Sequence, residues 1–227
     1  MIGWLRRMAA TRRPLSQVSS DTGYQMWAPT YGDPPNTFQQ LEHEALTTLL
    51  PPVHGCTVLD LGCGTGRTTT TLLDRGATLV VGIDRSRPML RRAVDGGPRP
   101  AHWLQADAAA VPLADGVVDL VVCGLMLGHV EDLRRPIDEM ARVLRPGGAL
   151  VVSDFHPAAT IRGWRRTVMD PVSGREHEFE QHAHLLSDYA DAFARHGIAM
   201  EALREPSHEG QAVAFVLRAR KPMDRPV

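Results

Sequence analysis

The chain has 227 residues, of which 43% are hydrophobic, and a formal net charge of −1. That supports one sizeable core, and so small a charge gives no electrostatic reason to expect a nucleic-acid partner. Lys221 is the only lysine, which removes Schiff-base catalysis and a Walker-type phosphate lysine. Cys56, Cys63 and Cys123 form no C-x-x-C pair and read as reduced thiols of a cytoplasmic protein.

In the first twenty residues, Arg6, Arg7, Arg12 and Arg13 are interleaved with apolar residues. The pattern fits an amphipathic helix and lacks the apolar stretch of a secretory signal, although a mitochondrial-type leader stays open. Residues 1–22 therefore read as a frayed or partner-docked segment. No apolar run approaches the ~18 to 20 residues of a membrane span, so a soluble protein with no membrane partner is expected. Tyr24–Tyr31 leads to a turn at Gly32-Asp33-Pro34-Pro35, and Phe38, Leu41, Ala45, Leu46 and Leu49 carry helical spacing over 38–50. A helical lid over 23–52 is predicted.

Val58-Leu59-Asp60-Leu61-Gly62-Cys63-Gly64-Thr65-Gly66-Arg67 ends a buried strand with a carboxylate and opens a glycine loop into a helix. Alternating glycines allow a sharp turn and close backbone approach to a ligand, with N–H groups at the next helix start free to bond it. A pyrophosphate would be repelled by the preceding acid, whereas a ligand carrying an ammonium group wants it. A second apolar run, Leu79–Asp84, ends in an acid about 20 residues on, suited to ribose hydroxyls. His102–Asp107, Val117–Cys123 and, after the turn Leu144-Arg145-Pro146-Gly147-Gly148, Ala149–Asp154 complete five strands.

The motifs DLGCGTG, GID, ADAAAVPLADGVVDLVVC and LRPGGALVVSD, in this order, resemble the class I S-adenosylmethionine-dependent methyltransferases. The resemblance runs from about Tyr24 to Lys221. It implies an α/β, doubly wound, Rossmann-like sheet of seven strands, mostly parallel with an antiparallel last strand. It implies S-adenosylmethionine as cofactor, with S-adenosylhomocysteine as its product. Asp60 and the backbone of Gly62 and Gly64 would hold the methionine part with Cys63 in the loop, Asp84 the ribose, and Asp107 and Ala108 the adenine, with Arg85 also among the cofactor-binding residues. Leu125 would lie beside the sulfonium. Met89 either packs the adenine or is ordinary core. Tyr31, or Tyr24, matches a tyrosine that such enzymes set against the sulfonium; the alternative is that both tyrosines cap the core. Asp33-Pro34-Pro35-Asn36 looks like the signature of amino-methylating enzymes but stands in the wrong place, and reads as a turn.

Active sites of open parallel sheets lie beyond the carboxyl ends of the strands, which aims His129 and His156 at the reaction zone. Residues 157–186 then alternate as a hairpin, a β-flap over the substrate. Within it His182 and His184 are two apart, on one face if the segment is a strand. A metal site needs more ligands than this pair supplies, so no metal is expected. The base candidates are His129 and His156, then His182 or His184, with Tyr31 positioning. Ser187–Gly197 reads as a helix, and Ile198–Glu205 and Gln211–Lys221 as the last two strands.

The domain expected is a single one over 23–221, with 222–227 as a tail. The function expected is in-line methyl transfer to O, N or C of a small molecule in specialised, antibiotic-type biosynthesis, with a homodimer drawn from family habit. The alternatives are a quinone or other core-metabolite methyltransferase and a non-methylating cyclase that keeps the cofactor; a nicotinamide oxidoreductase fits poorly.

Overall fold

The computed structural model of the protein describes residues 5–7, 15–97 and 100–223. Two short strands, β1 (Leu5–Arg7) and β2 (Ser16–Val18), precede α1 (Ser20–Trp27). Helix α2 (Thr37–Leu49) starts from a capping box in which Asn36 and Gln39 each accept the other's backbone N–H. Strands and helices then alternate: β3 (Thr57–Leu61), α3 (Arg67–Asp74), β4 (Leu79–Asp84), α4 (Arg87–Gly96), β5 (His102–Gln105), β6 (Val118–Gly124), α5 (Arg134–Val143) and β7 (Leu144–Phe155). The chain continues through α6 (Pro157–Ile161), the hairpin β8 (Trp164–Met169) and β9 (Glu176–Phe179), α7 (Leu186–Ala194) and β10 (Ala199–Arg204). It ends with the two-residue strands β11 (Ser207–His208) and β12 (Gln211–Ala212) and with β13 (Ala214–Arg220).

The apolar runs become a seven-stranded sheet in the order β10-β13-β7-β6-β3-β4-β5, with β13 antiparallel to both of its neighbours. One apolar cluster, around Leu59, Ile83, Val121 and Phe193, fills one face. A second, around Leu46, Val58, Leu72 and Val122, fills the other. A sheet buried on both faces needs apolar residues at successive positions, which is why these strands read as continuous runs. The segment Leu144–Gly148, read as a turn, is instead the start of β7: Leu144 pairs with Val118, and Gly147 at φ +74° bends the strand. Trp103 on β5 lies where a Cβ at Gly66 or Gly82 would come within 2.7 or 2.5 Å of its ring, so those glycines let the indole pack beneath the glycine loop.

The 157–186 segment forms the predicted hairpin, with Thr167 opposite Glu178. Its first turn is helix α6, and residues 180–185 are not strand. The N-terminal residues depart further from expectation. Leu5–Arg7 and Ser16–Val18 are strands, not an amphipathic helix, and they flank the hairpin in a four-stranded sheet of order β1-β8-β9-β2. Hydrogen bonding to both edges of the hairpin supplies the partners that short strands lack alone. Arg12, Arg13 and the last four residues of the expected 222–227 tail lie outside the described residues. A third apolar cluster joins this cover to the lid: Trp27 and Phe38 pack with Phe155, Trp164, Val168 and Phe179. No helix among the described residues is long and apolar enough to cross a membrane.

Candidate active site

The carboxyl ends of β3, β4, β5 and β6, with α1 laid across them, enclose one cavity, in the position where open parallel sheets bind their ligands. Gly62 and Gly64 line it with φ +76° and +55°, in the left-handed region that glycine adopts without penalty. A Cβ on Gly64 would meet no protein atom within 4 Å, so a side chain there would take ligand space, whereas one on Gly62 would strike Met126 at 2.7 Å. The N–H groups of the three glycines and of Cys63 are already taken. Gly62 and Cys63 donate to the Ile83 carbonyl at 2.7 and 3.0 Å, Gly66 to Cys63 at 2.9 Å, and Gly64 to Asp84 Oδ2 at 2.8 Å. What these glycines can offer a ligand is carbonyl oxygen, which suits an ammonium better than a phosphate.

Asp84 lines the cavity, and its Oδ1 also accepts from the Ser86 N–H at 2.7 Å. Burial pushes its pKa up, opposed by those backbone N–H groups. Each oxygen keeps a lone pair for a ribose hydroxyl. Asp107, turned back on the Ala109 N–H at 2.9 Å, lines the cavity together with Ala108, Met89 and Arg85. Arg85 is ion-paired to Asp21 of α1 at 2.9 Å, so one exposed pair bridges lid and cradle. Two expected cofactor residues do not line the cavity. Asp60 points beneath the loop, where its buried carboxylate accepts the Thr69 hydroxyl at 2.6 Å and ties the loop to α3. Its pKa is pushed up to about 6 by burial. Cys63 is likewise buried under the loop, its thiol raised well above the ordinary value by desolvation.

At the other end lie Leu125, Tyr24, Tyr31 and His129. Leu125 holds φ +58°, a conformation that costs a branched residue of order 1–3 kcal/mol and persists only when its surroundings impose it. Here its N–H donates to Ser153 at 2.8 Å and its carbonyl accepts from Arg166 at 3.3 Å. Tyr24 and Tyr31 meet edge to face with ring centroids 6.1 Å apart. The Tyr24 hydroxyl is 2.9 Å from His129 Nε2, which also receives Arg166 Nη1. A guanidinium only donates, so Nε2 is unprotonated and the ring proton sits on Nδ1. Burial, then Arg166, holds the His129 pKa well below its usual value; burial pushes the Tyr24 phenol up despite Arg166.

The structure separates the other histidines from the cavity. His156 caps α6, with Nδ1 accepting from Ala158 at 3.1 Å and Nε2 bonded to Glu205 at 2.8 Å. His184 Nε2 bonds the Val130 carbonyl at 2.8 Å, and the His182 ring stacks on it at 6.3 Å, on coil rather than strand. Among the described residues no group of three or more His, Cys, Asp or Glu could hold a metal ion. Sequence reasoning missed Arg166, which is 2% exposed and joins Asp154 at 3.3 Å, and the buried Glu42, which accepts from Arg67 at 3.0 Å and from Ser153. Alternation with Trp164 and Val168 was the available signal for Arg166: it shares their inward face.

Comparison with known proteins decides the family. A malonyl-[acyl-carrier protein] O-methyltransferase of Enterobacter lignolyticus is 30% identical over 207 residues, covering 82% of this chain and 79% of the relative. The methyltransferase domain family matches residues 59–152. The chain belongs to the S-adenosylmethionine-dependent methyltransferases. A solved member from Mesorhizobium loti is 25% identical with a TM-score of 0.66, over 80% of this chain and 98% of that one. A demethylmenaquinone methyltransferase of Clavibacter sepedonicus is 39% identical over 119 residues, but that match spans only 51% of this chain and 48% of the relative. The family's cofactor is S-adenosylmethionine, and the residues lining the cavity are compatible with it: the glycines would face its amino-acid end, Asp84 its ribose, and Ala108 with Met89 its base.

Proposed function

We propose that this protein is a small-molecule methyltransferase of specialised, natural-product biosynthesis. The observation that carries methyl transfer is that one cavity joins the glycine cradle and Asp84 to Leu125 and the two lid tyrosines. S-adenosylmethionine supplies an electrophilic methyl group on a sulfonium. The chain's own part is positioning: Asp84 and the loop fix the donor, and Tyr24 and Tyr31 present ring faces and hydroxyls where a cation is favoured, more so when dry. Fixing two reactants in line supplies ~7 kcal/mol or more of the barrier, and excluding water disfavours the charged reactant. His129 is a positioning residue that holds Tyr24 and not a free base.

The specialised assignment rests on the lid and on the four-stranded cover that shields the acceptor end. The relatives named for demethylmenaquinone and for malonyl-[acyl-carrier protein] support small metabolites as acceptors. The net charge of −1 supports a reading without nucleic acid; a cytoplasmic location and a homodimer complete the proposal. Purified protein incubated with methyl-deuterated S-adenosylmethionine and extract from a host lacking the gene is expected to give one labelled product, read by mass spectrometry. An altered but unlabelled metabolite would establish the cyclase instead. Turnover on a quinone precursor alone would overturn the specialised reading.

A further inference from the structure

Arg166 lies on β8, in the hairpin that covers one end of the cavity, yet the bonds of its guanidinium reach beyond that hairpin. Nη1 donates to the Leu125 carbonyl at 3.3 Å and to His129 Nε2, and Nη2 donates to Asp154 Oδ1 on β7 at 3.3 Å. Asp154 in turn accepts the Gly128 N–H. One ion pair, with both side chains 2% exposed, therefore clamps the turn after β6 at Leu125, Gly128 and His129. Leu125 and His129 line the cavity, as does Tyr24 of α1, whose hydroxyl is 2.9 Å from His129 Nε2.

We propose that Arg166 is a positioning residue for methyl transfer, acting through Leu125 and through the His129–Tyr24 pair to set the shape of the cavity at its sulfonium end. This rests on the methyl-transfer reading and adds to it the residue by which the flap holds that end. The φ of +58° at Leu125 persists only while its surroundings impose it, and it is tied on both sides, by its N–H to the Ser153 carbonyl and by its own carbonyl to Arg166. Without the second tie the peptide after Leu125 is free to swing and to carry the cavity wall with it. Tyr24 loses its anchor in the same step, because the guanidinium fixes the ring of His129. Lysine is no substitute: a guanidinium sets donors on separate nitrogens in one rigid plane, whereas an ammonium is a single point on a flexible stem. The adenosine end is built separately, from Asp84 and Asp107 after β4 and β5.

Calorimetric titration of the full chain with two ligands separates positioning from folding. Arg166→Lys is expected to bind adenosine within about twofold of the wild-type chain and S-adenosylhomocysteine at least about tenfold more weakly, since only the second ligand reaches past the ribose. His129→Gln keeps the buried ion pair and cuts only the link to Tyr24, so it carries the same test should the lysine variant not fold. It is expected to weaken S-adenosylhomocysteine and spare adenosine, and to cost less in the Arg166→Lys background than in the wild-type chain. Equal losses for both ligands, or wild-type affinity for both, would overturn the positioning role; strictly additive losses would overturn the route through His129. Methyl transfer is read separately, from label that the wild-type chain passes from methyl-deuterated S-adenosylmethionine into host extract. Transfer at the wild-type rate by Arg166→Lys would overturn the positioning role alone, and no transfer by the wild-type chain would overturn the reading beneath it.

Discussion

Asp60 shows how one buried carboxylate couples the loop to pH. An unfolded aspartate titrates near ~3.9, and Asp60 is pushed up to about 6 by burial, against the stabilising Thr69 hydroxyl. Between those values the folded chain holds a proton that the unfolded chain has lost. The contribution is therefore full below the unfolded pKa and fades as pH rises through about 6. Asp60→Asn keeps the shape and the Thr69 bond, and is expected to gain roughly 1–3 kcal/mol at neutral pH. Thermal melts at about pH 5 and 7.5 check this; a lower Tm for the variant at the higher pH would contradict it. Gly62→Ala makes the opposite point. Its Cβ would meet Met126 at 2.7 Å and force φ +76° on alanine, so S-adenosylhomocysteine binding, read by calorimetry, is expected to weaken at least about tenfold, or ~1.4 kcal/mol.

Among elements, the contact of α1 with β9 links the lid to the flap. Gly23 lies in a helix, where alanine would ordinarily gain about 0.5–1 kcal/mol. A Cβ there would nevertheless sit 2.2 Å from Phe179 Cε1. Overpacking costs about 1–3 kcal/mol, so sterics win and Gly23→Ala is expected to lower the Tm. The double variant Gly23→Ala, Phe179→Leu is expected to recover part of the loss; a rise in Tm for the single variant would show that lid and flap are not packed this way. This cover was the least legible part of the sequence. Three-residue strands carry no periodicity, and Ser16 finds its partner His177 only across 161 positions. Arg166 was obscure for a related reason: its partners, His129 and Asp154, come from the turn after β6 and from β7.

For the whole molecule, the sheet was legible because strands buried on both faces must be written as unbroken apolar runs, and because a carboxylate or glycine marks where each emerges. The cavity's wall was legible for the same reason: Gly62, Asp84, Asp107 and Leu125 all stand at strand ends. Which donors remained free was not, since that depends on Ile83 and Asp84 reaching back to the loop. A ligand that binds only the folded chain stabilises it by mass action, about 2.7 kcal/mol at a hundredfold excess over Kd. S-adenosylhomocysteine is therefore expected to raise the Tm of the whole domain in one transition.

Calorimetric titration of S-adenosylhomocysteine into the wild-type chain and into Asp84→Ala tests the placement of the cofactor most directly. One site per chain is expected, with the variant weakened by roughly 1.5–3 kcal/mol for lost hydrogen bonds to a charged group. Binding of equal strength to both proteins, or to neither, would contradict it.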